Sequence, residues 1–377
     1  MKKYYIISGL ILQDNNRGTA ALGYGSFSFL KEKGYLQENM ELVEFKIVKK
    51  IWKYHDYTEG LSLQGMNIKK NVIHVNFIEM KIFMLYGILL SFTKFGKTIK
   101  NIDFVACING GDGFSDIYNT NTFIARLRET FIAMRCNIPV IQLPQTLGPF
   151  KDNCNYLLAK KILQYSTKVY VRDDMFVSEL KKMGISYEIT NDLSAYMKPE
   201  PWDISIDRSN SIGINVSGLA YSNSFRTLSG QFDCYPDLIN SLIEFFQEKG
   251  KIIYLIPHSY HYGEPEPDND DLWACREVFS KLIDKRNVIL IEKDLKSPQI
   301  KYLISQMSFF IGTRMHANYA AIFTKVPLYG LAYSYKFQGA FERNGIFNRI
   351  SMINNIGKED IPYILENIEK AYLEDTK

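Results

Sequence analysis

Along most of the chain a short apolar run ends in a brief polar loop, and a stretch with apolar residues at helical spacing follows. The pattern predicts a first buried strand from Lys3 to Leu12, then strands at Asp103–Ile108, Pro139–Leu143, Lys168–Val171 and Tyr187–Thr190. Helical patterns fill most gaps, clearest at Thr120–Cys136 and at Asp173–Gly184, the latter opening on two acids and closing on glycine. The stretch Lys198–Ser211 is rich in Pro, Ser and charge, and reads as a boundary between residues 1–200 and 211–377. Beyond it the alternation resumes: strand Ile212–Val216, helix Pro236–Lys249, strand Ile252–Ile256, helix Asp271–Ile283, then strands Val288–Ile291, Phe309–Ile311 and Leu328–Leu331. Strand-helix alternation in both halves predicts an α/β protein of two Rossmann-like domains facing a cleft. No repeat of solenoid or propeller length interrupts it.

The run Lys2-Lys3 to Leu12 could be taken for a short signal peptide, but the polar Gln13–Arg17 that follows favours a strand. The second apolar run, Ile82 to Phe95, is broken by Gly87, Ser91 and Lys94 and is too short to span a bilayer. Its flank of Lys94, Lys97 and Lys100 would suit an interfacial helix, while a core helix with a solvated end is the plainer expectation.

At 377 residues the chain exceeds what one hydrophobic core serves, and 46% hydrophobic with 23% charged residues excludes disorder and fibrous architectures. A net charge of +4 is too small to imply a nucleic-acid groove. The 14% aromatic content suits ring-rich cores and sugar-stacking surfaces alike. Five cysteines without a CxxC pair suit a reducing, cytoplasmic setting and offer no zinc site.

Four loops carry candidate chemistry, each after an expected strand. Asn15-Asn16-Arg17-Gly18-Thr19 would present helix amides to an anion, or be an ordinary turn capped by Thr19. Asn109-Gly110-Gly111-Asp112-Gly113 would let backbone approach a ligand, and Gln145–Phe150 projects to the same edge. Arg172 would hold a carboxylate or phosphate, or pair with Asp173 or Asp192. Gly312-Thr313-Arg314-Met315-His316 sets a fixed cation and a proton-transfer group at a helix start. His258 lies near Asp268-Asn269-Asp270-Asp271, where an N-cap is expected rather than a metal site, and Tyr333 with Lys336 follows the strand at Leu328.

Together, Val169–Ile185, Asp192-Leu-Ser-Ala195, the Gly312–His316 corner and Tyr333-x-x-Lys336 resemble the polysaccharide pyruvyl transferase family. The resemblance implies a glycosyltransferase-B-like fold and transfer of pyruvate from phosphoenolpyruvate onto two hydroxyls of a sugar, as a cyclic ketal, in surface polysaccharide biosynthesis. It implies His316 and Arg314 as catalytic residues, the second domain carrying this Arg-x-His donor site. Arg172, Asn15, Gly18, Thr19, Gly110, Gly111, Asp112, Gln145, Asp192, His258, Tyr333 and Lys336 would bind substrate. Phosphoenolpyruvate is then the donor substrate, with no cofactor or metal. The partner would be a sugar acceptor on a lipid-linked oligosaccharide, with no nucleic acid, at the cytoplasmic face of the membrane. A nucleotide-sugar glycosyltransferase of the same fold, or a non-catalytic saccharide-binding protein, is the alternative.

Overall fold

The computed structural model describes residues 2–375, and of Tyr335 and Lys336 the backbone alone. Its strands form two sheets, in two units: one holds the chain up to Leu12 together with Leu22–Met197, the other Gln13–Ala21 and the chain from Lys198 onward.

In the first unit the strands are β1 (Lys3–Ser8), β2 (Met40–Val48), β3 (Tyr57–Leu63), β4 (Met66–Asn76), β5 (Ile102–Cys107), β6 (Val140–Gln145), β7 (Lys168–Val171) and β8 (Glu188–Ile189). Their order is β3-β4-β2-β1-β5-β6-β7-β8, parallel except for the β3–β4 hairpin at the edge. β1 therefore sits inside the sheet, buried from Tyr5 onward, as its unbroken apolar run requires. β2 and the β3–β4 hairpin have no counterpart in the sequence reading. β3 lies along an exposed edge, and its Thr58-Glu59-Gly60 breaks both the continuous apolar run and the alternation that would mark a strand.

The region Thr120–Cys136 forms two helices, Thr120–Arg126 and Arg128–Arg135, meeting at Leu127. The helix expected from Asp173 begins at Val177 and ends at Met183, with Gly184 left-handed beyond it. The run Ile82–Phe95 is not one helix. A helix Phe77–Tyr86 stops at left-handed Gly87, and a second, Lys94–Ile99, starts after Thr93, whose side chain accepts the N–H of Gly96. Phe83 and Phe95 enter the core while much of the segment between them is exposed, so the expectation of a core helix holds only in part.

In the second unit β9 (Ser211–Asn215), β10 (Ile252–Leu255), β11 (Val288–Leu290), β12 (Phe309–Gly312), β13 (Leu328–Ala332) and β14 (Ile350–Met352) pair in parallel, in the order β11-β10-β9-β12-β13-β14. This is the doubly wound order, reversing direction between β9 and β12. Every residue of β9 is buried, and burying Ile212 and Ile214 contributes about 1.5–3 kcal/mol each over leaving them in water. The helix Tyr235–Glu248 covers the sheet with Leu238, Ile239, Leu242, Ile243 and Phe246, the periodic apolar face that made it legible.

Candidate functional site

The second unit gathers its site residues where β9 and β12 adjoin, at the carboxyl ends of the strands, the place where open parallel sheets take ligands. Arg314 follows β12 and stands at the N-cap position of the helix Met315–Phe323. Its backbone N–H donates to Asn215 Oδ1 at 2.9 Å, so the end of β9 fixes the turn. Its guanidinium donates to Asp271 Oδ1 through Nε at 3.0 Å and Nη2 at 2.6 Å, and Nη2 also reaches Asn269 Oδ1 at 2.9 Å. The Asp271 carboxylate is buried and also accepts the backbone N–H groups of Gly218, His258 and Ser259, at 2.8, 3.1 and 2.9 Å. Burial works against the charge on Arg314, yet the Asp271 carboxylate and the Tyr333 hydroxyl outweigh it and hold the guanidinium above its ordinary range.

His316, in the first turn of that helix, packs against Gly18. A Cβ on residue 18 would lie 2.5 Å from Nδ1 and 2.6 Å from Cγ of the ring, so only glycine admits the imidazole there. The ring meets Tyr319 edge-on, centroids 5.7 Å apart. His258 is buried beside them. Burial first, and then the nearby charges of His316, Arg314 and Arg17, push its pKa well below 6.5, so its imidazole is neutral at physiological pH. Tyr333 completes the group through its bond to Arg314.

The loop Gln13–Ala21 was expected within residues 1–200, but it belongs to this unit, and its bonds give the reason. The buried Arg17 donates to Leu295 O at 2.9 Å and Asp294 Oδ1 at 2.6 Å, and its guanidinium lies 4.1 Å above the Tyr260 ring. Asn15 donates to Glu266 Oε1 at 3.3 Å and accepts from Tyr260 N at 2.9 Å. Asn16, not Thr19, caps the helix: its Oδ1 accepts the Gly18 N–H at 2.9 Å, and Thr19 donates its own N–H to Asn16 O at 3.0 Å.

The first unit carries a separate cluster. Asn109, Gly110 and Gly111 succeed one another with φ of +50°, +68° and +85°, a left-handed run that glycine adopts freely and asparagine tolerates. Arg172, after β7, donates to Asp192 Oδ2 at 2.7 Å and to Thr146 Oγ1 at 3.0 Å, and its Nη1 would lie 3.0 Å from a Cβ on Gly111. The pairing expected with Asp192 is present, and it places the Arg172 guanidinium beside the glycine loop. Gln145 is buried and serves the scaffold, accepting from Asn109 Nδ2 at 3.0 Å and donating to Cys107 O at 3.2 Å. Asp112 accepts from the Tyr118 hydroxyl at 3.1 Å. Phe114 and Phe150 form a ring cluster with Phe123 and belong to the core.

Sequence reasoning missed Asp271 as the partner of Arg314. The acidic run was visible and Asp270 does cap the helix at Asp271, but a bond across 43 residues leaves no local signal. It also missed Asn215, and Arg126, which fills the space a Cβ on Gly113 would need. The Lys336 side chain lies outside the described residues. Among the described residues no three or more His, Cys, Asp or Glu side chains group to hold a metal ion.

Residues 16–335 match the family described as Polysaccharide pyruvyl transferase. No curated protein matches by sequence. Similar solved structures include UDP-GlcNAc 2-epimerase from Neisseria meningitidis bound to UDP-GlcNAc, with 12% identity over 100% of this chain and 94% of that chain and a TM-score of 0.56. The UDP-GlcNAc 2-epimerase from Methanocaldococcus jannaschii is similar at 13% identity over 97% of this chain and 92% of that chain, with a TM-score of 0.53. At such identity the likeness shows the fold alone, which is glycosyltransferase-B-like.

Proposed function

Because this chain belongs to the polysaccharide pyruvyl transferase family, we propose that it moves pyruvate from phosphoenolpyruvate onto two hydroxyls of a sugar, closing a cyclic ketal. The observation that carries this reading is the corner where Arg314, paired to Asp271, and His316, packed on Gly18, open one helix beside neutral His258.

The donor is a small dianionic or trianionic molecule, and Arg314 with the amide end of the helix Met315–Phe323 supplies positive charge to hold it. His316 gives a proton to the methylene carbon, making it a methyl group and leaving the phosphate-bearing carbon electron-poor. One sugar oxygen bonds to that carbon, the bond to phosphate breaks, and the second hydroxyl closes the ring. Of the two hydroxyl protons, one restores His316 and the other leaves with phosphate. The scheme calls on no metal or cofactor. Arg172 is the candidate cation of the first unit, and the acceptor we propose is a hexose of a lipid-linked oligosaccharide.

The test is phosphate release and product mass after mixing the protein with phosphoenolpyruvate and a panel of galactosides. A pyruvate-derived mass gain that vanishes in His316→Ala supports the reading, and full activity in that variant removes His316 from it. No turnover, with tight binding of a nucleotide sugar instead, favours the glycosyltransferase alternative.

A further inference from the structure

Trp52, Ile78, Tyr86 and Phe92 are 72%, 65%, 72% and 76% exposed, large apolar side chains left in water by one region of the first unit. Exposed apolar residues scattered singly need no account, but these come from segments that are tied together. Lys94 pairs with Asp56 at 2.9 Å, Asp56 accepts the His74 N–H at 2.6 Å, and the Tyr54 ring stacks on His74 with centroids 5.2 Å apart. Thr93 donates to Glu79 Oε1 at 2.6 Å, joining the loop after Gly87 to the start of the helix Phe77–Tyr86. The turn around Trp52, that helix and the loop to Lys94 are therefore neighbours. Inside, Met80, Phe83 and Phe95 satisfy the core, so the outward rings are surplus to folding.

The charge of this region is equally lopsided. Residues 49–100 contain nine lysines and three acids, a surplus of six, against +4 for the whole chain, so the remainder is net negative. Two of the three acids, Asp56 and Glu79, are engaged in the bonds just described. Lys49, Lys50, Lys53, Lys81 and Lys97 are exposed on the same segments as the rings. Aromatic and aliphatic side chains interspersed with lysines along exposed segments match the interface of an anionic bilayer, where rings sit at headgroup depth and ammonium groups meet lipid phosphates. A protein partner would be served as well by the rings alone, and the lysine surplus is what selects the lipid. We propose that this face docks the protein on the surface of an anionic membrane without crossing it. Among the described residues no helix is long and apolar enough to span one.

The experiment is co-sedimentation of the full chain with vesicles of phosphatidylcholine, with and without phosphatidylglycerol. Binding is expected only with the anionic vesicles and should fall at high salt. Tyr86→Glu with Phe92→Glu should abolish it, and Lys81→Gln and Lys97→Gln should each weaken it about fivefold. Circular dichroism must show all variants folded, which their exposure makes the expected result. Binding that survives the glutamate pair overturns this face as the contact. No binding to anionic vesicles, with self-association that the same pair abolishes, overturns the membrane in favour of a second copy. Neither result touches the transferase reading, which is assayed on soluble galactosides.

Discussion

The imidazole of His316 occupies the space that any side chain on residue 18 would claim, 2.5 Å separating Nδ1 from where a Cβ on Gly18 would stand. A loop near one end of the chain thus sets the position of a ring near the other, and neither residue's environment is visible without the other.

Gly18→Ala should displace the ring and press on the first turn of the helix that carries it, because the new Cβ would meet the His316 ring at 2.5 and 2.6 Å and the His316 Cβ, which no rotation moves away, at 2.9 Å. Displacing a reacting group by about 1 Å costs on the order of 10²-fold in turnover. We expect kcat to fall by at least that order with KM for phosphoenolpyruvate little changed. Turnover within a factor of about two of the parent would show that His316 needs no such seat.

Asp271→Asn removes the buried counter-charge of Arg314 and part of the acceptor for three backbone N–H groups. Stranding one member of a buried ion pair costs about 3–5 kcal/mol. Denaturant unfolding should register a loss of that size in the transition of the second unit, and an unchanged midpoint would contradict the pairing.

His258 titrates far below its ordinary value in the folded chain, so the unfolded chain binds the proton first. Stability is therefore full above about pH 6.5 and declines as the pH falls below it, by about 1.4 kcal/mol per unit until the folded-state value is reached. Unfolding curves at a series of acid pH values should show this slope, and His258→Gln should flatten it. A slope unaltered by the substitution would assign the acid sensitivity elsewhere.

Arg172→Lys keeps a charge but cannot reach Asp192 and Thr146 together, as the guanidinium does at 2.7 and 3.0 Å. Losing a hydrogen bond to a charged group costs about 1.5–3 kcal/mol. We expect destabilisation of that size, with a tenfold or larger rise, about 1.4 kcal/mol or more, in KM for one substrate if the glycine loop binds it. Loss of stability without any change in KM would make Arg172 a scaffold residue only.

The sheets were legible wherever a strand is buried on both faces. Lys168–Val171 stands where its apolar run put it, and β5 and β6 differ from expectation by one or two residues. β2 and the hairpin escaped because partial exposure mixes polar residues into them, and the apolar run Ile82–Phe95, expected as a core helix, is divided at Gly87. Arg314, His316 and Gly18 could be singled out from the sequence because each sits in a short motif after a strand. Asp271, Asn215 and the seat of His316 on Gly18 were not, because each depends on residues brought together only by the doubly wound path of the chain.

The placement of Gln13–Ala21 has a consequence for how this protein can be cut and recombined. The chain starts in one unit, lends nine residues to the other, and returns before settling there from Lys198 onward. A fragment beginning at Lys198 would lose the guanidinium over Tyr260, the bonds to Leu295 and Asp294, and the Asn16–Ser259 bridge. The halves are not interchangeable cassettes, and a chimaera that swaps the second must carry the matching Gln13–Ala21 with it.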